Sequence, residues 1–202
     1  MAELKDYSGK FDPDLTLVDF SKEALISLLV AAGKLYLGID GIWTGLMRQK
    51  FGDKAAFDYD KEVWFSKGLE LDIKQTCDAL NIKGNDLPAL FKYLQFGPAM
   101  AVIYVGPPPQ FEPRVTFELK NQNHGIMTVT RCNSLEYFER HKDAALQKMA
   151  CEEIDLPAFK WIAQRFNPKI EVEPLKLPPR KSAKEVACRW EFRLAKQRIK
   201  IK

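Results

Sequence analysis

The sequence predicts an α+β fold in which N-terminal helices pack with a four-stranded antiparallel sheet. Apolar residues recur at helical spacing through the first half of this 202-residue chain, and they alternate with polar residues through the second half. Helices, two strands, two helices and two strands, in that order, are typical of a sheet covered by helices on one face. We expect one domain over residues 19–195, with a helical half at 19–100 and a sheet half at 110–195.

The first predicted element is a long helix that begins near Ser21, after a flexible polar arm at residues 1–18. Ser21 is a good N-cap, and large apolar residues follow at helical spacing as far as Leu46. The helix contains the glycines Gly33, Gly38, Gly41 and Gly45. Each glycine lowers helix stability by about 1 kcal/mol relative to Ala. We therefore expect close packing there, against another backbone, as in a homodimer through this helix, or against a ligand.

An apolar cavity is also expected between the long helix and the sheet. Tyr36, Ile39 and Trp43 would line it, and its occupant would be an apolar or aromatic small molecule. This prediction follows from the apolar side of the helix that faces inward in the predicted fold.

Two shorter helices complete the helical half. The second is predicted after Asp58 or Asp60, with Cys77 on its apolar stripe and hence in the core, and the third begins near Asp86. The run Pro107–Pro109 then marks the change from helical to extended chain.

The sheet half predicts strands near residues 112–120, 125–132, 169–175 and 186–195. A hairpin loop that holds His124 joins the first two strands. Asn133 is predicted to cap a helix after the second strand, and Asp155 to begin the next helix.

Three of the four cysteines lie in the C-terminal third, beside predicted strand ends or helix starts: Cys132, Cys151 and Cys188. Such positions can converge. Three thiolates with a nearby imidazole would form a tetrahedral metal site, or one thiolate could act as a nucleophile. Cys132 is the best nucleophile candidate, because Arg131 and a helix start would both stabilise its thiolate. Acidic neighbours of Cys151 favour metal ligation instead.

The composition excludes several classes of protein. Four cysteines are too few for a disulfide scaffold, and the polar first residues predict no signal peptide, so we expect a cytoplasmic protein. Lys34 and Asp40 interrupt the most apolar stretch, which predicts no membrane span. The net charge of +4 comes from a basic C-terminal region that ends in a basic tail at 196–202. No stacking aromatics accompany that tail, so nucleic acid is not an expected partner.

Five stretches of the C-terminal two-fifths carry a resemblance to a known family: His124–Cys132, Cys151, Phe166–Pro168, Leu177–Lys181 and Cys188–Phe192. In these stretches the chain resembles a family of prokaryotic proteins similar to the L-2-amino-thiazoline-4-carboxylic acid hydrolase-like proteins. More remotely, the chain resembles the hydrocarbon-binding 4-vinyl reductase domain and the ligand-binding fold of nitric-oxide signalling and Golgi-transport proteins.

These resemblances imply two functions. The first is a small-molecule binding module with a cysteine-rich zinc site, for which Cys132, Cys151 and Cys188 are the matching ligands, with Glu152 or Glu153 as the fourth. The second is a hydrolase that opens a C–N bond in a cyclic amidine or amide, with Cys132 as nucleophile and His124 as base.

Overall fold

The computed structural model describes residues 3–97 and 114–195 and confirms the α+β class. A long helical hairpin precedes a four-stranded antiparallel sheet. The run Pro107–Pro109 and the tail at 196–202 lie outside the described residues, so the expectations about them stay predictions.

The first helix, α1 (Lys22–Val63), is capped as predicted, because Ser21 Oγ accepts a hydrogen bond from the backbone N of Ala24 at 3.3 Å. A π-helical turn (Trp64–Gly68) joins it to α2 (Leu69–Ala79). The second predicted helix therefore has no separate start near Asp58, since α1 runs on past that position.

A corner at Gly52 divides α1 into two arms. The Gly52 backbone has φ 81° and ψ 166°, a conformation that is essentially restricted to glycine. The chain turns back there, so that the rings of Tyr36 and Trp64 lie 6.0 Å apart. We call residues 22–51 the first arm and residues 53–79 the second arm.

Buried carboxyl groups lie between the two arms. Burial raises the pKa of Asp60 to about 6, with a further contribution from the charge of Asp40, against a hydrogen bond with Trp64 that lowers it. Burial also raises the pKa of Asp40 and of Asp72. The hairpin therefore has a partly acidic interior, whose effect on stability depends on pH.

The third helix, α3 (Leu87–Phe96), lies at the centre of the core. It begins near Asp86, as predicted, and the Asp86 side chain caps it by accepting a hydrogen bond from the backbone N of Ala89 at 2.9 Å. Leu90 and Leu94 are fully buried. The helix packs against α2, the last helix and the sheet, and so joins the hairpin to the second half of the chain.

The sheet has the order β1-β2-β4-β3, with every neighbouring pair antiparallel. Its strands are β1 (Val115–Asn121), β2 (His124–Val129), β3 (Ile170–Lys176) and β4 (Cys188–Leu194). Every strand end lies within three residues of its predicted position. The alternation of apolar and polar residues therefore located all four strands of this sheet.

One face of the sheet is covered by helices, as predicted. Trp190 and Phe192 on β4 are fully buried, and the rings of Trp190 and Phe159 lie 4.7 Å apart. Gly125 on β2 lets Phe91 of α3 pack directly on the strand, because a Cβ at this position would lie 2.6 Å from the ring of Phe91.

Three helices connect β2 to β3: α4 (Asn133–His141), α5 (Ala144–Lys148) and α6 (Asp155–Phe166), with a π-helical turn (Met149–Ile154) before α6. The prediction that Asp155 begins a helix is confirmed. The prediction that Asn133 caps α4 is wrong, because Cys132 occupies the N-cap position.

Ion pairs attach the hairpin to this connection. Arg48, on the first arm, binds Asp53 across the corner at 2.9 Å and Asp143 at 2.6 Å. Lys61, on the second arm, lies 3.2 Å from Glu153.

The first arm is strongly apolar on its outer surface. By length and composition alone, the helical run Lys22–Ala79 could cross a membrane, with an 18-residue window of mean hydropathy 1.6 of which 11% is buried. Core helices of soluble proteins and signal sequences meet the same criterion, so the absence of a membrane span stays a prediction.

Candidate functional site

Cys132 lies between the end of β2 and the start of α4. Its Sγ accepts a hydrogen bond from the backbone N of Leu135 at 3.5 Å, in the manner of an N-cap side chain. Burial nevertheless raises the pKa of the Cys132 thiol to about 11. Arg131 forms an ion pair with Glu136 at 3.0 Å. The expectation of a thiolate stabilised by Arg131 and the helix start is therefore wrong for this structure, because desolvation outweighs the hydrogen bonds from the backbone of the helix start.

Cys188 begins β4 and pairs in register with Val129 of β2, three residues before Cys132. Its Sγ accepts a hydrogen bond from Trp190 Nε1 at 3.1 Å. Burial raises the pKa of the Cys188 thiol to about 12, although the hydrogen bond from Trp190 opposes the shift. The sulfur therefore lies on the helix-covered side of the sheet, as predicted from the alternation in β4.

Cys151 lies in the π-helical turn before α6. Burial raises the pKa of its thiol far above the ordinary value, and the charges of Asp155, Cys132 and Cys188 raise it further. All three thiols are therefore close enough to interact, and all are protonated at neutral pH in the absence of a compensating charge.

Asp155 completes this group. The charge of its carboxylate contributes to the raised pKa of Cys132, Cys151 and Cys188 alike. Asp155 retains contact with solvent, but the protein atoms crowded around its carboxyl raise the pKa of that group to about 7. From the sequence, Asp155 is predicted only as the start of a helix. Its position four residues after Cys151, on the same side of a helix, was the available signal.

The connection between β3 and β4 is anchored beside this cluster by a buried arginine. Arg180 Nε and Nη2 each donate a hydrogen bond of 2.8 Å to the carboxylate of Glu139 on α4. The Arg180 side chain is 1% exposed, and its guanidinium also interacts with the charge of Cys132. A bidentate pair of this kind fixes the orientation of both side chains. It holds the connection against α4.

The structure does not bring His124 and Cys132 together. His124 is the first residue of β2, and its Nε2 lies 3.0 Å from Glu191 Oε1. Cys132 follows the opposite end of the same strand, about 17 Å along it at 3.3 Å per residue. His124 is therefore not placed to act as the base for Cys132.

The remaining predicted site residues lie apart from one another. Glu152 is exposed next to Cys151 and adds to the raised pKa of that thiol. Tyr36, Ile39 and Trp43 were predicted to line a cavity beneath the sheet, but their side chains are 42%, 66% and 60% exposed. That assignment is wrong, because Ile39 and Trp43 are largely exposed and the ring of Tyr36 packs against Trp64 of the second arm.

A groove of about 870 Å³ lies instead between the N-terminal arm and the start of α1, lined by residues that include Tyr7, Phe20 and Leu25. It is open to solvent, and its lining residues include no cysteine.

Cys132, Cys151, Cys188 and Asp155 come from three separate segments of the chain, because Cys151 and Asp155 lie four residues apart, and they meet at one end of the sheet. Within residues 3–97 and 114–195, no group of three or more His, Cys, Asp or Glu side chains is already arranged to hold a metal ion. Three thiols and a carboxyl group are nevertheless donors of the type that zinc selects.

Comparison with known protein families matches residues 18–194 to a family of unknown function, DUF6125. The chain belongs to DUF6125. The match includes both arms of the hairpin, the whole sheet and all three clustered cysteines. No curated protein and no solved structure gives a significant match. The relationship of this DUF6125 chain to the thiazoline-carboxylate hydrolase-like proteins stays a prediction.

Proposed function

We propose that this DUF6125 protein is a metal-binding module in which Cys132, Cys151, Cys188 and Asp155 hold one zinc ion. The observation that supports the proposal is the common influence of Asp155, whose charge raises the pKa of all three thiols at one end of the sheet. The charges of Cys132 and Cys188 also raise the pKa of Cys151.

The proposal accounts for the unfavourable electrostatics of the cluster. Burial raises the pKa of the three thiols, and the negative charge of Asp155 raises it further. A divalent cation reverses this effect, because it favours deprotonated ligands and releases their protons on binding. Zinc takes four ligands in tetrahedral geometry, and the four groups supply that number.

Asp155 is a better fourth ligand than Glu152. The carboxylate of Asp155 acts on all three thiols, whereas Glu152 acts on Cys151 from an exposed position. The hydrolase alternative lacks comparable support, since Cys132 is protonated at neutral pH and His124 lies beyond its reach.

The test is a zinc titration of the full chain purified without chelator, in competition with a chromophoric chelator. We expect one zinc ion per chain. Replacing a ligand by Cys132→Ser, Cys151→Ser, Cys188→Ser or Asp155→Asn should weaken zinc binding by at least about 100-fold, because the open coordination position is not refilled by serine or asparagine. Zinc should also raise the Tm of the wild-type protein, since it binds only the folded state tightly.

Cys77→Ser is the matched control. Cys77 lies on α2, where burial and the charges of Asp78 and Asp72 raise its pKa, apart from the cluster. Its replacement should leave zinc affinity unchanged. Co²⁺ gives a second readout, because the intensity of its thiolate charge-transfer absorption reports the number of sulfur ligands. A wild-type protein that binds no zinc, or a Cys77→Ser variant that loses as much affinity as the others, would overturn the proposal.

A further inference from the structure

The outward side of the first arm carries a continuous apolar stripe that no described residue covers. Its members alternate in spacing by four and three residues: Leu28, Ala32, Leu35, Ile39, Ile42 and Leu46. The five large side chains are each between 48% and 67% exposed. This spacing is the a and d pattern of a heptad repeat, by which α-helices pair in coiled coils.

The stripe is not the surface that holds the hairpin together. The positions of the first arm that are buried against the second arm include Val30, Gly33 and Thr44. They lie on the opposite side of the helix from the stripe. The first arm therefore has two packing surfaces, and only one of them is used within the hairpin.

The two flanks of the stripe differ in size. Large side chains, Leu29, Tyr36 and Trp43, recur every seven residues along one flank, and small residues, Ala31, Gly38 and Gly45, recur along the other. A Cβ placed at Gly38 or Gly45 would have no described atom within 4 Å. The small flank is therefore open, although each glycine in a helix costs about 1 kcal/mol.

We infer that the stripe pairs in parallel with the same stripe of a second copy of this chain. In a parallel pair, the e flank of one helix faces the g flank of the other. Trp43 of each copy would then lie over Gly38 of the other copy, and large residues would fill the space above small ones. An antiparallel pair would instead place the large flanks against each other.

The area of the stripe fits a dimer. Five large side chains and Trp43, each exposing on the order of 100 Å², give about 600 Å² per copy and about 1,200 Å² for two copies. That total reaches the range of specific protein interfaces, and about 600 Å² is the upper end for an apolar patch on a monomer.

A lipid bilayer that holds the whole helical run Lys22–Ala79 fits the hairpin less well, because the second arm would enter the bilayer with the first. The second arm carries exposed charged residues: Lys54, Asp58, Glu62 and Lys67. Such a bilayer would immerse them, at a cost of about 3 kcal/mol each at its centre. A protein partner can cover the stripe and leave these charges in water.

The first test is the mass of the full chain in solution, measured by sedimentation equilibrium over a range of concentrations. We expect a dimer, and Ile39→Asp should weaken dimerisation by at least about 100-fold, because it places a charge in the centre of the seam. Leu71→Asp is the matched control, since Leu71 on α2 is 58% exposed but lies outside the stripe. A monomeric wild type, or equal weakening by both variants, would overturn the inference.

The second test exchanges the large and small flanks. Gly38→Leu should weaken dimerisation at least about tenfold by clashing with Trp43 of the other copy, and adding Trp43→Ala should restore part of the loss. Both positions are open in the single chain, so circular dichroism should show unchanged folding. If the double variant dimerises more weakly than Gly38→Leu alone, the pairing of these flanks is wrong.

The direction of pairing has its own test. Leu28 lies near one end of the stripe, so Leu28→Cys should form a disulfide between copies in a parallel dimer, whereas antiparallel copies would hold the two sulfurs about 27 Å apart. A stable dimer without this cross-link would refute parallel pairing. Cosedimentation of the monomer with phosphatidylcholine vesicles would instead identify a bilayer as the occupant and refute the dimer.

Discussion

Replacing Asp60 by Asn is the most informative test of the hairpin interior. Asp60 lies between the arms, 9% exposed, with a pKa raised to about 6 by burial and by the charge of Asp40. The unfolded chain exposes this carboxyl to water, where its pKa is about 3.9. Between these two values the folded protein binds a proton that the unfolded chain has released.

The sign of the pH dependence follows from this difference. Below about pH 4 the carboxyl is protonated in both states, so Asp60 costs no electrostatic free energy. As the pH rises from about 4 to 6, ionisation stabilises the unfolded chain, and the free energy of unfolding falls by up to about 3 kcal/mol. Above about pH 6 the carboxyl is ionised in both states, and the free energy of unfolding falls no further because of Asp60. Because Asp40 interacts with Asp60, the observed midpoint belongs to the pair.

Urea denaturation between pH 4 and pH 7.5 measures the effect. Asp60→Asn should be about as stable as the wild type near pH 4 and more stable by about 2 kcal/mol at pH 7.5, because the amide cannot ionise. A difference that does not change with pH would refute the reasoning.

Asp58→Asn is the matched control on the same arm. Asp58 is exposed, and its hydrogen bond from Lys54 holds its pKa below the ordinary value. Its small contribution to stability is therefore present at neutral pH and lost as the pH falls, which is the opposite sign. A rise in stability at neutral pH for Asp58→Asn would also contradict the assignment.

Two backbone predictions concern glycines. Gly52→Ala should reduce the free energy of unfolding by about 2 kcal/mol, measured by urea denaturation, because alanine is strained at φ 81°. The control Gly9→Ala should change the free energy of unfolding little, because Gly9 lies in open space. An equal loss of stability in both variants would contradict the prediction. Gly125→Ala should cost about 2 kcal/mol in the same assay, because its Cβ would lie 2.6 Å from Phe91. Adding Phe91→Leu should recover part of that loss, and no recovery would exclude this clash as the cause.

The sheet could be predicted because each strand buries one face. Trp190 and Phe192 on β4 are buried while their neighbours Glu191 and Arg193 face away, and this difference appears in the sequence as a period of two. The N-cap at Ser21 could be predicted because it depends on local sequence: the Ser21 side chain accepts a hydrogen bond from the backbone N–H three residues later.

The hairpin was missed because the first arm is apolar on two sides. Hydrophobic periodicity alone does not separate the stripe that packs on the second arm from the stripe that faces outward, so Ile39 and Trp43 were assigned to a cavity. The corner at Gly52 was also not predicted. Gly52 is followed directly by Asp53, a sequence typical of a helix end followed by a new N-cap.

The cysteine cluster was predictable in part. The positions of Cys132, Cys151 and Cys188 beside element ends indicated that they could meet. For Cys132, the pKa shift of the thiol was predicted in the wrong direction. Burial raises this pKa, and burial is set by the tertiary fold rather than by the neighbours of Cys132 in the sequence.

The two ion pairs from α1 couple the hairpin mechanically to the cysteine cluster. Arg48 holds Asp143 and Lys61 holds Glu153, so the segment that contains Cys151 is attached to the hairpin near both of its ends. Arg48 also lies two residues beyond the outward stripe, at Leu46. A change in the tilt of the first arm must therefore move Asp143 or break its ion pair with Arg48. Any such coupling is reciprocal, so a ligand that fixes this segment would also restrict the tilt of the first arm.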